Sequence, residues 1–69
     1  MKDLEKIKER ISDAIKRSGM AQVELAAKLH ITQSTIAHYI KGDILPSLEI
    51  FANLCEVLDV SPEYLLLFE

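Results

Sequence analysis

The chain has little of what builds disulfide-linked, metal-binding or membrane proteins. Its single cysteine, Cys55, cannot form an internal disulfide, which is typical of a protein kept in a reducing compartment. The two histidines form no cluster with this cysteine, so neither a zinc site nor another cofactor is predicted. No apolar run approaches the roughly 20 residues that cross a bilayer, and the segment MKDLEKIKER carries no apolar signal sequence. We therefore expect a cytoplasmic location and no membrane partner.

Basic residues are absent from the last third of the chain. All eight lysines and arginines lie in residues 1–42, where five acidic residues leave a formal charge of +3. Residues 43–69 contain six acidic residues and no basic one, which gives −6 and explains the net charge of −3. A surface that binds phosphates should be basic, because its cations release condensed counterions. Only residues 1–42 can supply such a surface, and we expect the acidic remainder to face away from it.

The length of 69 residues predicts a single small domain. A chain of this size buries only about 60% of its unfolded surface, so its core is marginal and would gain from an oligomer contact. The hydrophobic content of 49% nevertheless favours a folded domain over a disordered chain.

Apolar residues recur every three to four positions, which predicts an all-α chain of five helices. The predicted helices span residues 3–18, 22–29, 33–41, 48–58 and a last segment that starts at Pro62 and includes residues 64–68. Side chains suited to an N-cap stand at or just before the start of four of them: Asp3, Thr32, Ser47 and Ser61. Ala21 precedes the second helix, so we expect Glu24 to accept the backbone N–H of Ala21 instead.

The same spacing selects the core. The candidates are Leu4, Ile7, Ile11, Ala14, Ile15, Val23, Leu25, Ala26, Leu29, Ile36, Tyr39, Ile40, Leu48, Phe51, Ala52, Leu54, Cys55 and Leu58. Five consecutive apolar residues, 64–68, cannot all face one small core. We expect Leu65, with Tyr64 or Phe68, to stay partly exposed.

Residues 22–42, QVELAAKLHITQSTIAHYIKG, predict two short helices joined by a tight turn. His30 lies between the two helices and is one of the residue types that tolerate a positive φ in a tight turn, and Ala26 is small enough for the two helices to cross closely. Gly42 can end the second helix. The exposed face of that helix carries mostly uncharged hydrogen-bonding groups: Gln33, Ser34, Ala37, His38 and Lys41.

This stretch resembles the helix-turn-helix of phage repressor and Cro-type regulators, the XRE family. The matching residues are Gln22, Leu25, Ala26, Ile31, Thr32, Gln33, Ile36, Ile40 and Gly42, followed by Pro46-Ser47-Leu48, Leu54, Leu58 and residues 60–66. The resemblance extends from about Ile7 to Leu66. It implies a repressor-like fold of five helices over residues 1–69, with the helix-turn-helix at about 22–42. It also implies double-stranded DNA as the partner and no small-molecule substrate.

The resemblance also assigns candidate site residues. Those expected to read bases are Gln33, Ser34, Thr35 and His38. Those expected to contact phosphates are Gln22, Thr32 and Lys41. Those expected at a homodimer interface are Tyr64, Leu65 and Phe68. Asp43 departs from the family pattern, because an acid at that position would repel the DNA backbone.

The expected function is sequence-specific DNA binding by a transcriptional regulator, most simply a repressor on an inverted repeat. The alternative is a protein-interaction module, such as an antitoxin or anti-repressor, on the same scaffold. A helical bundle with no nucleic-acid role is a third interpretation. An enzyme is not expected, because the sequence has no nucleophile–base pair, metal cluster or phosphate-binding loop.

Overall fold

Five α-helices and no strand form the computed structural model, which describes all of residues 1–69. The helices are α1 (Leu4–Arg17), α2 (Gln22–Leu29), α3 (Gln33–Lys41), α4 (Leu48–Leu58) and α5 (Pro62–Leu65). The all-α prediction is confirmed. The predicted bounds of α2, α3 and α4 agree with the structure, and α1 is one residue shorter at each end than predicted.

All four predicted N-caps are confirmed. The side chains of Asp3, Thr32, Ser47 and Ser61 each accept a backbone N–H from the first turn of the helix that follows. The capping role predicted for Glu24 is wrong, because its side chain makes no hydrogen bond to the N–H of Ala21. Ala21 is exposed, so water can satisfy that group.

Three helices end in a left-handed residue that reverses the chain. These residues are His30 (φ 57°), Gly42 (φ 82°) and Asp59 (φ 55°). In each case the following residue donates its N–H to a carbonyl in the last helical turn, which satisfies a group that would otherwise lack a partner. The turn role predicted for His30 is confirmed.

The core joins all five helices. Its buried apolar residues are Ile11, Ile15, Leu25, Ala26, Leu29, Ile36, Tyr39, Leu54, Cys55 and Leu65. Helix α3 packs against α1 and α2, α4 packs against α2, and α5 packs against α1. Because α3 lies between two partners, its inner face is fixed and its outer face is left to solvent.

Two predicted core residues, Val23 and Ala52, are exposed, so their assignment was wrong. Val23 lies two positions before the buried Leu25, and Ala52 lies two positions before the buried Leu54. A separation of two residues is about 200° around an α-helix, which places each side chain on the far face.

Leu4 and Leu48 were also predicted to be buried, but they are 48% and 88% exposed. Each is the first residue of its helix, α1 and α4. Both line an open apolar groove of about 200 Å³, which is also lined by Ile7, Leu45 and Phe51. Their faces were predicted correctly, but no other element covers this end of the two helices.

The C-terminal segment differs most from its prediction. Helix α5 ends at Leu65, and Leu67 then adopts a left-handed conformation (φ 68°) that turns the chain. The N–H of Phe68 donates to the carbonyl of Glu63 at 2.7 Å across this turn. Leu65 is 0% exposed, so the prediction that it stays partly exposed is wrong. The turn puts Leu65 in the core and leaves Phe68 outside.

Two cations of the N-terminal region hold this turn in place. Lys2 donates to the carbonyl of Leu67 at 2.6 Å, and its ammonium lies 4.1 Å from the centre of the Phe68 ring. Arg10 donates to the carbonyl of Tyr64, and its guanidinium lies 4.2 Å from the centre of the Tyr64 ring. Contacts between a cation and an aromatic face at an exposed site stabilise by roughly 0.5–1 kcal/mol each.

We expect Leu65→Ala to lower the free energy of unfolding by about 2–5 kcal/mol, because it opens a cavity in the core. Leu48→Ala is the matched control and should change that energy by less than about 0.5 kcal/mol, because Leu48 is exposed. Urea unfolding followed by circular dichroism measures both. Equal effects of the two substitutions would contradict the burial of Leu65.

Candidate nucleic-acid interface

The leading edge of α3 is open to solvent. Ile36 and Tyr39 of this helix are buried against its neighbours, whereas Gln33 and Ser34 are exposed. The side chains of Gln33 and Ser34 make no hydrogen bond within the protein. The C-terminal tail is held by Lys2 and by Arg10 of α1, and it does not cover them. Both side chains are therefore free to bind groups outside the protein.

Two threonines shape the start of this edge. The hydroxyl of Thr32 accepts the backbone N–H of Thr35 at 3.2 Å, and the two hydroxyl oxygens lie 2.9 Å apart. Thr35 is half-buried and Thr32 is exposed. Both hydroxyls are thus engaged with each other, so Thr35 has less hydrogen-bonding capacity left for a base than its sequence position suggests.

Gln22 is the first residue of α2 and makes no side-chain hydrogen bond. The backbone N–H groups of the first helical turn have no partners within a helix, and they carry a partial positive charge. A side-chain amide beside such groups is well placed to help hold an anion.

The far end of α3 carries a small charged cluster. Asp43 lies beyond the Gly42 turn, and its carboxylate is 2.9 Å from Nδ1 of His38 and 3.5 Å from Nζ of Lys41. The hydrogen bond from His38 holds the pKa of Asp43 below its usual value, and Lys41 lowers it further. The expectation that the acidic third faces away from the candidate interface is therefore wrong for Asp43.

Free positive charge is sparse elsewhere. Lys2 and Arg10 are committed to the C-terminal tail. Lys6 pairs with Glu9, and Lys8 pairs with Glu5, each at 3.5 Å. The basic residues that form no ion pair and no tail contact are Lys16, Arg17 and Lys28. An interface on α3 therefore relies on uncharged hydrogen-bonding groups more than on cations.

Ser12 is a residue that the sequence interpretation missed. It is the one buried polar side chain of the core, and its hydroxyl donates to the carbonyl of Ile40 at 2.8 Å. That carbonyl lies in the last turn of α3, so the bond ties α1 to the end of the candidate reading helix. The sequence feature that could have indicated this role is a small hydroxyl residue next to the core residue Ile11.

Two buried titratable groups lie away from this edge. Burial raises the pKa of the Cys55 thiol and of the Tyr39 phenol, so both groups are protonated at neutral pH. Cys55 packs in the core, as expected of a small hydrophobe. The structure contains no group of three or more potential metal ligands. No helix has both the length and the apolar character to span a bilayer.

The structure thus separates the predicted site residues into three places. Gln33, Ser34, His38 and Lys41 follow one another along the exposed side of α3. Gln22 and Thr32 lie where α2 and α3 begin. Of the residues predicted for a dimer interface, Tyr64 and Phe68 are exposed and Leu65 is buried.

Comparison with known proteins connects this arrangement to a family. A helix-turn-helix family model matches residues 11–65. A search of curated proteins finds no match. One similar solved structure is that of the P22 c2 repressor protein in complex with synthetic operator 9T in the presence of Tl⁺. It has a TM-score of 0.74 and 27% identity, and the match covers 87% of this chain and 91% of that one.

A second similar structure is that of the restriction-modification controller protein C.AhdI from Aeromonas hydrophila. Its TM-score is 0.73 and its identity is 27%, over 91% of this chain and 96% of that chain. Both likenesses span nearly the full length of the proteins compared.

We expect Ser12→Ala to destabilise the fold by about 1–3 kcal/mol, because it leaves the partly buried carbonyl of Ile40 without the Ser12 donor. Ser34→Ala removes the same hydroxyl from an exposed site and should change stability by less than about 0.5 kcal/mol. Thermal and urea unfolding of the two variants measure the difference. Equal changes in the free energy of unfolding for the two variants would show that the hydrogen bond from Ser12 to Ile40 does not stabilise the fold.

Proposed function

The chain belongs to the XRE-type helix-turn-helix family, and from that premise we propose that it binds double-stranded DNA sequence-specifically and regulates transcription. Residues 1–69 would act together as one DNA-binding domain. Family membership and both solved neighbours, a repressor and a controller protein, support DNA-binding transcription regulation.

The observation that carries the proposal is the free leading edge of α3. Gln33 and Ser34 are exposed and unpaired at the N-terminal end of a helix whose opposite face is fixed in the core. A recognition helix enters the major groove with its N-terminal residues against the bases. One solved neighbour is itself a complex with an operator, which supports the same use of this fold.

The base-reading roles follow from the chemistry of each side chain. The amide of Gln33 can pair with N6 and N7 of adenine in a bidentate manner. Ser34 can donate or accept, so it discriminates weakly. Thr35 offers a methyl group for contact with the thymine methyl, because its hydroxyl is engaged with Thr32. His38 lies one turn beyond Ser34 and reads the next part of the groove.

Backbone contacts would fix the register of the domain. Gln22 and Thr32 lie at the N-terminal ends of α2 and α3, where free N–H groups favour phosphate. Lys41, at the end of α3, supplies a cation whose charge is partly offset by Asp43. Such contacts position the protein on the duplex and carry no sequence information.

We also propose a homodimer on an inverted repeat, with half-sites about 34 Å apart. Tyr64 and Phe68 are 42% and 68% exposed and offer apolar surface for the contact between protomers. Leu65 supports this surface from within the core and does not join it. Repression is the simplest result, because a dimer that occupies promoter DNA blocks polymerase.

A second candidate function is a protein-interaction module. It is favoured by the open apolar groove between α1 and α4, beside which Leu48 is 88% exposed. Light scattering of the purified protein with duplex DNA and with a captured protein partner distinguishes the two functions. A change of oligomer size with the partner, together with no affinity for DNA, would select the interaction module.

We expect Gln33→Ala to relax the choice of base at one position and to weaken binding to the preferred site by about 1–3 kcal/mol. Gln22→Ala is the matched control, because it removes the same side chain from a proposed phosphate contact. It should weaken binding to all sequences by a similar factor. Selection from random duplexes, followed by titration of single-base variants, measures both effects.

A Gln33→Ala protein that lost affinity equally for every operator variant would show that Gln33 does not read a base. If the wild-type protein selected no consensus sequence from random duplexes, the proposed sequence-specific DNA binding would be wrong.

A further inference from the structure

Asp43 is held against His38 at two points. Its backbone N–H donates to the carbonyl of His38 at 3.1 Å across the Gly42 turn, and its carboxylate lies 2.9 Å from Nδ1 of the imidazole. The left-handed conformation of Gly42 (φ 82°) makes the backbone bond possible. The side-chain contact therefore depends on a turn that the backbone fixes, and the imidazole is oriented before any ligand binds.

This contact determines which nitrogen of His38 carries the proton. The pKa of Asp43 is lowered, so its carboxylate is ionised at neutral pH and can only accept hydrogen bonds. Nδ1 must then donate. A neutral imidazole has a single N–H, so Nε2 of neutral His38 has a free lone pair and acts as an acceptor.

The other charged groups near this pair are few. Lys41 of α3 lies 3.5 Å from the same carboxylate oxygen. On α1, Lys8 lies beside Gly42 and is paired with Glu5. The remaining charged residues of α1 that line the groove next to Lys41 are Glu9, Asp13 and Lys16. Helix α2 contributes no ion pair or hydrogen bond to His38. Asp43 is thus the only hydrogen-bonding partner of this imidazole.

We propose that Asp43 is a positioning residue for sequence selectivity, which fixes His38 so that Nε2 accepts from a base when the ring is neutral and donates when it is protonated. This inference rests on the proposed function, because it requires that α3 enters the major groove of DNA. It assigns Asp43 a role other than the repulsion of phosphate that its charge alone suggests.

The two states of His38 select opposite bases. In the major groove, cytosine presents only the N4 amino donor, whereas guanine presents only the acceptors N7 and O6. An accepting Nε2 disfavours guanine, which offers no donor, relative to cytosine, and a donating Nε2 disfavours cytosine, which offers no acceptor, relative to guanine. One hydrogen bond gained or lost changes affinity by roughly two- to tenfold. The preferred base at this position should therefore depend on whether the imidazole of His38 is neutral or protonated.

Nitrogen NMR of the DNA-free protein tests whether Asp43 fixes the tautomer of His38. At about pH 8 the ¹⁵N shifts of neutral His38 should show the proton on Nδ1. The isosteric Asp43→Asn variant can donate as well as accept, so it should give a mixture of the two tautomers. A proton on Nε2 in the wild-type protein would overturn the inference without reference to DNA.

Selection from random duplexes at about pH 8 and about pH 5.5 tests whether the base preferred at the His38 position depends on the protonation of the ring. The position read by His38 is the one that changes when the non-titrating His38→Gln variant is used. There, the ratio of affinities for cytosine and guanine should shift toward guanine by about two- to tenfold at the lower pH. His38→Gln should abolish the shift, and Asp43→Asn should weaken the preference for cytosine at the higher pH.

Two comparisons make the result specific. His30→Asn removes the other histidine from a left-handed position that asparagine tolerates, and it should keep the full shift. Asp43→Asn also frees Lys41, which should raise affinity for every sequence, but the cytosine-to-guanine ratio is insensitive to that change.

The outcomes separate this inference from the function on which it rests. A clear consensus whose His38 position is the same at both pH values would overturn the role of Asp43 and leave DNA recognition standing. The absence of any consensus at either pH would overturn both.

Discussion

The burial of Ile36 and Tyr39 fixes the rotation of α3 about its own axis, and the candidate interface depends on that rotation. Ser34 and His38 are each two positions from Ile36, about 200° around the helix, so both must point outward when Ile36 points inward. The hydroxyl of Ser12 holds the last turn of the same helix through the carbonyl of Ile40. The packing of the inner face thus decides that the polar side chains of α3 point toward solvent.

Sparse positive charge is the second constraint on function. Two of the eight cations contact the C-terminal turn, and two more form ion pairs with acidic residues of α1. Binding to the phosphate backbone depends on free cations, and it supplies most non-specific affinity. The proposed DNA binding would therefore draw its affinity from base edges, from helix N-termini and, in the proposed homodimer, from a second protomer. The Asp43 carboxylate at the end of α3 lowers the free positive charge further, since it lies 3.5 Å from Nζ of Lys41 and 2.9 Å from Nδ1 of His38.

Local rules predicted most of this fold, because most of it is local. Thr32 caps the helix that it precedes, and His30 and Gly42 end helices where their conformational preferences allow it. Contacts across long sequence separations were not predictable in this way. The turn at Leu67 depends on Lys2, 65 residues away, and the Ser12 bond depends on Ile40. The contact between His38 and Asp43 is local, and the Gly42 turn that creates it is visible in the sequence.

An NMR titration of the ¹⁵N-labelled protein with a duplex obtained by selection tests whether the outer face of α3 is the binding surface. If it is, the largest shift changes fall on Gln22, on residues 32–38 and on Lys41, with much smaller changes along the apolar groove at Leu4. Large changes at the groove, with the amide groups of Gln33 and Ser34 unaffected, would show that the protein binds DNA through a different surface.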